Sequence, residues 1–158
     1  MRNHCAIALL TLLAACEAEP DAEHAPFLSD STPGAGAIIT DTTENLREVS
    51  VALGDENVAD HRFVRFLVDY PSDGDDPGRL IFSAVIPPSG DVVRSTLQMR
   101  PSCALIGLGP GLHRLTMSVS DRRFLDQFEG DDVDPNAPLD SAADDAHRMR
   151  TIWLLNCL

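Results

Sequence analysis

The chain has 158 residues, with 25 aspartates and glutamates against 12 basic residues, all of them arginine, and a formal net charge of −13 at pH 7. Such an acidic surface would repel phosphate groups, which argues against a nucleic-acid partner and against electrostatic docking on anionic lipid. The length is sufficient for one domain with a tail.

The first sixteen residues have the features of an export signal. A short positive segment precedes an apolar run over 5–15, which is too short to span a bilayer because spanning needs about 20 apolar residues. The run is followed by a cysteine, and Leu13 to Cys16 (LAAC) resembles the lipobox of bacterial lipoproteins. The resemblance implies a signal peptide over 1–15 that is removed and a lipid on Cys16, which would anchor the protein to a membrane.

Residues 16–44 are predicted to form a lipidated, disordered tether. The segment 17–37 mixes proline, glycine, alanine, serine and acids without periodicity. Phe27 and Leu28 are its only large apolar pair. In many lipoproteins an aspartate after the lipidated cysteine favours inner-membrane retention. Glu17 stands there instead, and the resemblance therefore implies the outer membrane, with the periplasmic or cell-surface side left open.

From residue 45 the pattern becomes one of short strands and turns, which predicts a β-sandwich domain over 45–158. Alternation places Val64, Phe66, Val68 and Tyr70 on the core face of the strongest strand, 63–70. The other predicted strands are 46–53, 80–86, 92–99, 103–108, 113–120 and 151–156, with Val49, Val51, Leu53, Leu115, Met117 and Val119 inward and Arg114, Thr116, Ser118 and Ser120 outward. A helical period fits only 140–149, where Asp140 could cap one or two turns.

The segment from Gly111 to Asp121 resembles the late hairpin of Ig-like and PKD-like extracellular domains. It has a glycine, a histidine, an alternating strand that ends in valine, and then an aspartate; the last strand, with Trp153, is compatible with the same family. The resemblance covers about 45 residues and implies an Ig-like antiparallel β-sandwich of about seven strands. It carries no functional residues across, and the acidic insert at 126–145 departs from the family pattern.

Two of the four cysteines are predicted to form a disulfide. Cys5 belongs to the leader and Cys16 would carry lipid, which leaves Cys103 and Cys157 in an oxidising compartment. A zinc site is the alternative, but no CxxC or Cys-His cluster surrounds either residue.

The acidic loop 126–147 carries eight carboxylates between residues 126 and 145 and no basic residue in that stretch. Calcium takes six to eight oxygen ligands, and a calcium site here would use Asp131, Asp132, Asp134, Asn136 and Asp140. The loop matches the EF-hand pattern only in part, because alanine stands where that pattern has its glycine and its bidentate glutamate. The alternative is a solvated, self-repelling loop.

No catalytic or nucleotide-binding motif occurs, so the chain is not expected to be an enzyme and no cofactor other than calcium is expected. The sequence predicts a non-enzymatic binding or structural module of the cell envelope, contacting protein or glycan partners. The alternatives are a calcium-dependent envelope module that uses the acidic loop 126–145, and an envelope hydrolase with unrecognised carboxylates.

Overall fold

The computed structural model describes residues 24–41, 48–70, 78–94, 96–125, 138–142 and 145–158. This part of the chain contains eight strands and one short helix, which confirms the all-β prediction. The strands are β1 (Phe27–Thr32), β2 (Ile38–Asp41), β3 (Val49–Gly54), β4 (Arg62–Val68), β5 (Arg79–Ile86), β6 (Leu97–Met99), β7 (Gly111–Ser120) and β8 (Arg148–Cys157), and the helix is α1 (Cys103–Ile106). No helix in these ranges is long and apolar enough to cross a membrane.

The strands form two sheets, one of three strands in the order β1-β3-β6 and one of five strands in the order β2-β8-β7-β4-β5. All neighbouring strands are antiparallel except β2 and β8, which are parallel, with Ile38 opposite Leu154. The expectation of a purely antiparallel sandwich is therefore wrong in this one pair. The reason is that the chain crosses from the smaller sheet to the larger one between β1 and β2, and β2 then runs in the same direction as the last strand.

The core lies between the two sheets and is built from the faces that alternation predicts. Val64, Phe66 and Val68 of β4 are buried there together with the inward residues of β3 and β7. Phe66 stacks on Trp153 of β8 with ring centroids 6.3 Å apart. Each such side chain contributes about 1.5–3 kcal/mol by leaving water, so this cluster accounts for much of the stability of the fold.

The outer face of the five-stranded sheet is also buried at β4 and β7, which corrects the expectation that alternate residues of β7 face solvent. Thr116, Ser118 and Ser120 of β7 are fully buried, and so are Arg65 and Leu67 of β4. Described residues after β7 lie against this part of the sheet: Phe124 packs on Arg65, and the Leu139 carbonyl accepts a hydrogen bond from it. The polar side chains on this face of β7 are therefore part of a second buried region, which is partly polar.

The covering segment contains the two ends of the acidic loop. Phe124 and Ala142 form an isolated antiparallel bridge, and Leu125 donates a backbone hydrogen bond to the Ser141 carbonyl at 2.7 Å. Phe124 is fully buried, with the Arg65 guanidinium 4.3 Å from the centre of its ring. The predicted solvated loop 126–147 is thus anchored at both ends on the sheet.

The sandwich begins earlier than predicted, because β1 and β2 lie within the range 16–44 that was expected to be a tether. Ile39 is buried in the core, and the Phe27 ring packs on Gly54 of β3, where a side-chain carbon would lie 2.2 Å from the ring. Glycine at residue 54 therefore makes room for the first strand. Within this range the sequence pattern predicts a first edge strand only at 38–40, and β2 confirms it. β1 was not predicted, because its residues show no clear alternation.

Three other predicted elements differ. Of the strand predicted over 92–99 only β6 forms, although Val93 makes a single bridge to Gly54. Where a strand was predicted over 103–108, the short helix α1 forms instead. Ser102 accepts a hydrogen bond from the Leu105 amide at its start, and Gly107 ends it at φ +75°. The helix predicted over 140–149 is absent from the described residues of that range, where β8 already begins at Arg148.

Candidate functional site

A groove runs between β5 and β6, the edge strands of the two sheets on the same side of the sandwich. Its first half is a cavity of about 430 Å³ between the start of β5 and the chain from Met99 to Ile106. Its second half is a cavity of about 360 Å³ between the end of β5 and the chain from Arg94 to Leu97. We call this feature the β5–β6 groove.

Apolar side chains line much of the β5–β6 groove and remain accessible to water. Leu80 and Val85 of β5 are 37% and 51% exposed, and Leu105 of α1 is 88% exposed. Phe82 and Met99 lie deeper, against the hydrophobic core. Adjacent exposed apolar side chains beside a concave surface are typical of an interaction site, because their burial by a partner is favourable.

Three arginines and no carboxylate are among the residues that line the groove in the described part of the chain. Arg79 reaches across the first cavity and donates to the Ile106 carbonyl. Arg100 is exposed and pairs with Glu48 at 3.0 Å. In a protein with net charge −13, this strip is locally basic.

Arg94, the third arginine, is buried without a carboxylate partner among the described residues. Its guanidinium donates to three backbone carbonyls, those of Pro87 (3.1 Å), Asn57 (3.0 Å) and Asp60 (3.2 Å), while its Nε has no hydrogen-bond partner. Carbonyl dipoles solvate the charge but do not neutralise it, so Arg94 holds positive potential beside the second cavity.

A buried ion pair supports the loop that holds Arg94. Asp55 and Arg62 are both fully buried and bind each other. Asp55 also accepts the Asn57 amide at 2.6 Å, and Arg62 donates to the Asn57 carbonyl at 3.1 Å. Because Arg62 and Arg94 share that carbonyl, the ion pair fixes the loop against one wall of the groove.

A disulfide supports the first cavity on the side that faces β5, since Cys103 and Cys157 are bonded with their Cα atoms 5.8 Å apart. This is the pair that the sequence predicts. The Cys103 amide also donates to the Asp41 carboxylate at 2.6 Å. The bridge therefore ties α1, whose Leu105 and Ile106 line the groove, to the last strand of the five-stranded sheet.

Asp140 has a structural environment that differs from the predicted roles as calcium ligand and helix cap. It is 1% exposed, and its carboxylate accepts hydrogen bonds from the Tyr70 hydroxyl and from the Arg150 guanidinium. Burial and the hydrogen bond to Asp140 raise the pKa of Tyr70 to about 12. The pattern of carboxylates along the chain could not reveal these partners, which are 70 and 10 residues away.

The other predicted calcium ligands, Asp131, Asp132, Asp134 and Asn136, lie outside the described residues, as does Cys16. Within the described ranges no three histidine, cysteine or acidic side chains come together as a metal-binding group.

Replacing Asp140 with asparagine is expected to lower the free energy of unfolding by about 1–3 kcal/mol, because the buried Tyr70 hydroxyl and the Arg150 guanidinium lose their carboxylate acceptor. The loss should be the same in EGTA and in calcium when measured by urea denaturation. Asp145→Asn is the matched control; its side chain is 74% exposed, and a change within about 0.5 kcal/mol is expected. A loss seen only in calcium would instead support the ligand role.

His113, a residue of the Ig-like segment, forms an ion pair at the start of β7. Its Nδ1 lies 2.8 Å from the Asp69 carboxylate and its Nε2 lies 3.0 Å from the Gly109 carbonyl. The hydrogen bond to Asp69 raises the pKa of His113 above its usual value. Asp69 itself has φ +54° and also accepts the Arg114 amide at 3.0 Å. The pair joins the end of β4 to the start of β7.

Stabilisation by this pair should be present in acid and lost in base. Because the folded-state pKa of His113 is raised, its contribution is complete below the unfolded value of about 6.5 and disappears as pH rises through the folded value. His113→Gln should therefore reduce stability by up to about 1 kcal/mol at pH 5.5 and by less at pH 9, in urea denaturation. Asp69→Asn, which tolerates the positive φ, should remove the same pH dependence; a constant difference across pH would contradict the assignment.

The groove was not predicted, because its residues are spread over 79–106. The strand β5 was predicted, but the segments 92–99 and 103–108 that face it were assigned differently. The arginines carry no motif, and only the pairing of the strands shows that β5 and β6 are edges. The groove offers a partner apolar side chains to bury and a positive charge. Comparisons with protein-family models, with curated proteins and with solved structures found no match to this chain.

Proposed function

We propose that this protein is a non-enzymatic binding module of the bacterial cell envelope, anchored by lipid at Cys16 and contacting its partner through the β5–β6 groove. The observation that carries the proposal is the groove itself, an accessible apolar strip of two cavities of about 430 and 360 Å³ with a basic lining. A buried ion pair supports the second cavity and a disulfide supports the first. A rigid, preformed surface of this kind reduces the entropy that a partner must lose on binding.

The position of the first strand limits how far the domain can lie from the membrane. Only residues 17–26 separate Cys16 from β1. Ten residues reach at most about 36 Å when fully extended. If Cys16 carries lipid, the groove therefore acts close to the membrane surface, and its partner is an envelope component within that reach.

The anchor is tested by the intact mass of the detergent-extracted protein, with and without reductant. The proposal expects the mass of the chain from Cys16 plus acyl groups, rising by two hydrogens on reduction. Cys16→Ser should abolish the acyl mass and release the protein from membranes. An unprocessed mass with free thiols would contradict export.

The groove is tested by placing a photocrosslinking amino acid at Leu105 in cells of the native host. Leu112, a leucine of β7 that is 62% exposed and lies outside the groove lining, is the matched control position. Light is expected to produce a specific adduct from residue 105 that is absent from residue 112. Failure of residue 105 to crosslink, or the same adducts from both positions, would contradict the proposed binding site.

A further inference from the structure

We infer that the first cavity of the β5–β6 groove binds the C-terminal residue of a partner protein, with its carboxylate at Arg79 and its apolar side chain between β5 and α1. The inference rests on the proposed function, since it names the chemistry of the partner for the same groove. A positive charge, an apolar lining and the closeness of the two support it.

Arg79 supplies the positive charge of this cavity. Its guanidinium donates to the Ile106 carbonyl, which is neutral, and among the described residues no acidic side chain forms an ion pair with it. Arg100, the other arginine of the cavity, is balanced by Glu48 at 3.0 Å. Arg79 therefore brings one positive charge that a monovalent anion would neutralise.

The position of this guanidinium suits a carboxylate. An arginine carries five N–H donors, and the bond to the Ile106 carbonyl uses one of those on Nη1. The donors on Nε and Nη2 are sufficient for two parallel hydrogen bonds to the oxygens of a carboxylate. Because Arg79 is already held at the end of α1, its side chain loses little conformational freedom when it binds such a group.

Apolar side chains line the same cavity. Leu80 on β5 and Leu105 on α1 are 37% and 88% exposed, so a partner side chain can cover both. Phe82 and Met99 also line the cavity, and both pack in or against the hydrophobic core. The volume of about 430 Å³ is near the lower end of the range for ligand sites, about 300–1,000 Å³. The cavity therefore suits one residue of a partner.

The closeness of charge and apolar lining favours a chain end over an internal acidic segment. Arg79 and Leu80 are consecutive residues, and Leu105 directly precedes the residue whose carbonyl holds Arg79. In an extended segment an acidic side chain and its apolar neighbour point to opposite sides. A C-terminal residue instead carries a carboxylate and a side chain on the same Cα atom, so it can place both in one cavity. Capture of a terminal carboxylate is an established mode of peptide recognition.

The test uses the full-length protein in detergent and a short fluorescein-labelled peptide of glycine and serine that ends in leucine with a free carboxylate. Three related peptides serve as probes. One ends in leucine amide, one ends in serine with a free carboxylate, and one ends in leucine amide preceded by glutamate. Binding is followed by fluorescence anisotropy. The leucine peptide with the free carboxylate is expected to bind, and the other three are expected to bind at least about tenfold more weakly.

Variants assign the two groups to their partners. Arg79→Gln should weaken the free-carboxylate leucine peptide about tenfold and leave the leucine amide peptide unchanged, and Arg79→Lys should restore part of the loss. Leu105→Ser should weaken the leucine peptide and leave the serine peptide unchanged. Arg123→Gln, at an exposed arginine that does not line the groove, should leave every affinity unchanged.

Several results would overturn the inference. They are equal binding of the leucine amide peptide, insensitivity to Arg79→Gln, and no binding of the free-carboxylate leucine peptide at 1 mM. An equal loss of both leucine peptides in Arg79→Gln would show that Arg79 only shapes the cavity, and would overturn its role as the carboxylate's partner. Equal binding of the peptide with glutamate before leucine amide would overturn the chain end in favour of an internal acidic segment.

The crosslinking experiment separates this inference from the proposed function. An adduct at residue 105 that contains an internal peptide of the partner would keep the groove as a binding site and overturn the chain end as its ligand. Binding of the leucine peptide without any adduct in cells would keep the ligand chemistry and overturn the envelope partner. If residue 105 captures nothing and the peptides do not bind, both proposals fail together.

Discussion

Replacing Asp55 with alanine is expected to lower the free energy of unfolding by about 3–5 kcal/mol, the largest effect of any single polar substitution considered for this protein. The reason is that Arg62 would keep its charge in a fully buried position without its carboxylate partner. The remaining acceptors, the carbonyls of His61 and Asn57, are neutral. Urea denaturation at neutral pH measures the loss.

Two further variants distinguish the loss of a buried charge partner from the loss of any carboxylate. Glu48→Ala removes a carboxylate from the accessible pair with Arg100 and should cost less than about 1 kcal/mol, because water solvates the remaining charge. The double replacement of Asp55 by leucine and Arg62 by methionine should recover most of the loss, because no unpaired charge then remains in the interior. Similar losses for Asp55→Ala and Glu48→Ala would contradict the buried-pair explanation.

The ion pair also links stability to the groove. Arg62 and Arg94 donate to the same Asn57 carbonyl, so a loop that loses Asp55 no longer fixes the acceptors of Arg94. Arg94 lines the second cavity of the β5–β6 groove. The loss of Asp55 should therefore change the position of Arg94 in the groove as well as the stability of the domain.

The prediction of the fold from the sequence succeeds where one face of a strand is continuous and apolar. Val64, Phe66 and Val68 on β4, and Leu115, Met117 and Val119 on β7, are buried as alternation requires. Such a pattern is local, because every second side chain meets the core whatever the strand's neighbours are.

The prediction fails where burial depends on distant chain segments. Arg65 and Thr116 look like solvent-facing residues in the sequence, yet both are buried. The Arg65 guanidinium lies on the Phe124 ring, and the Thr116 hydroxyl donates to the Tyr70 carbonyl. Asp140 looks like one more carboxylate of an acidic loop, yet it bonds Tyr70 across 70 residues. No local periodicity carries information about contacts of that kind.

The candidate site could not be predicted either, because it also depends on contacts between distant parts of the chain. A strand edge exists only when the order of strands in each sheet is known, and Arg79, Arg94 and Arg100 become one strip only when β5 lies beside β6. The disulfide is the exception. Cys103 and Cys157 were the two cysteines left after Cys5 and Cys16 had been assigned to the predicted leader and lipidation site, so counting was sufficient to pair them.

Removing that disulfide is expected to destabilise the domain by about 2–4 kcal/mol. The two cysteines are 54 residues apart, and the entropy of closing such a loop in the unfolded chain is worth about 4 kcal/mol as an upper figure. The double variant Cys103→Ser with Cys157→Ser should show the loss in urea denaturation. Wild-type protein in reductant should show the same midpoint as the double variant, which separates the loss of the bridge from the effect of the serines.

Removal of the disulfide should also loosen the groove, because α1 lines it. Cys103 begins the four-residue helix whose Leu105 and Ile106 line the first cavity, and the Ile106 carbonyl accepts the Arg79 guanidinium. Without the bridge this short helix is held by the Asp41 hydrogen bond and its own caps. Amide hydrogen exchange at residues 105–108 should then rise more than exchange in β4, which lies in the core. Equal protection of the two regions in reduced and oxidised protein would show that the disulfide stabilises the domain without ordering the groove wall.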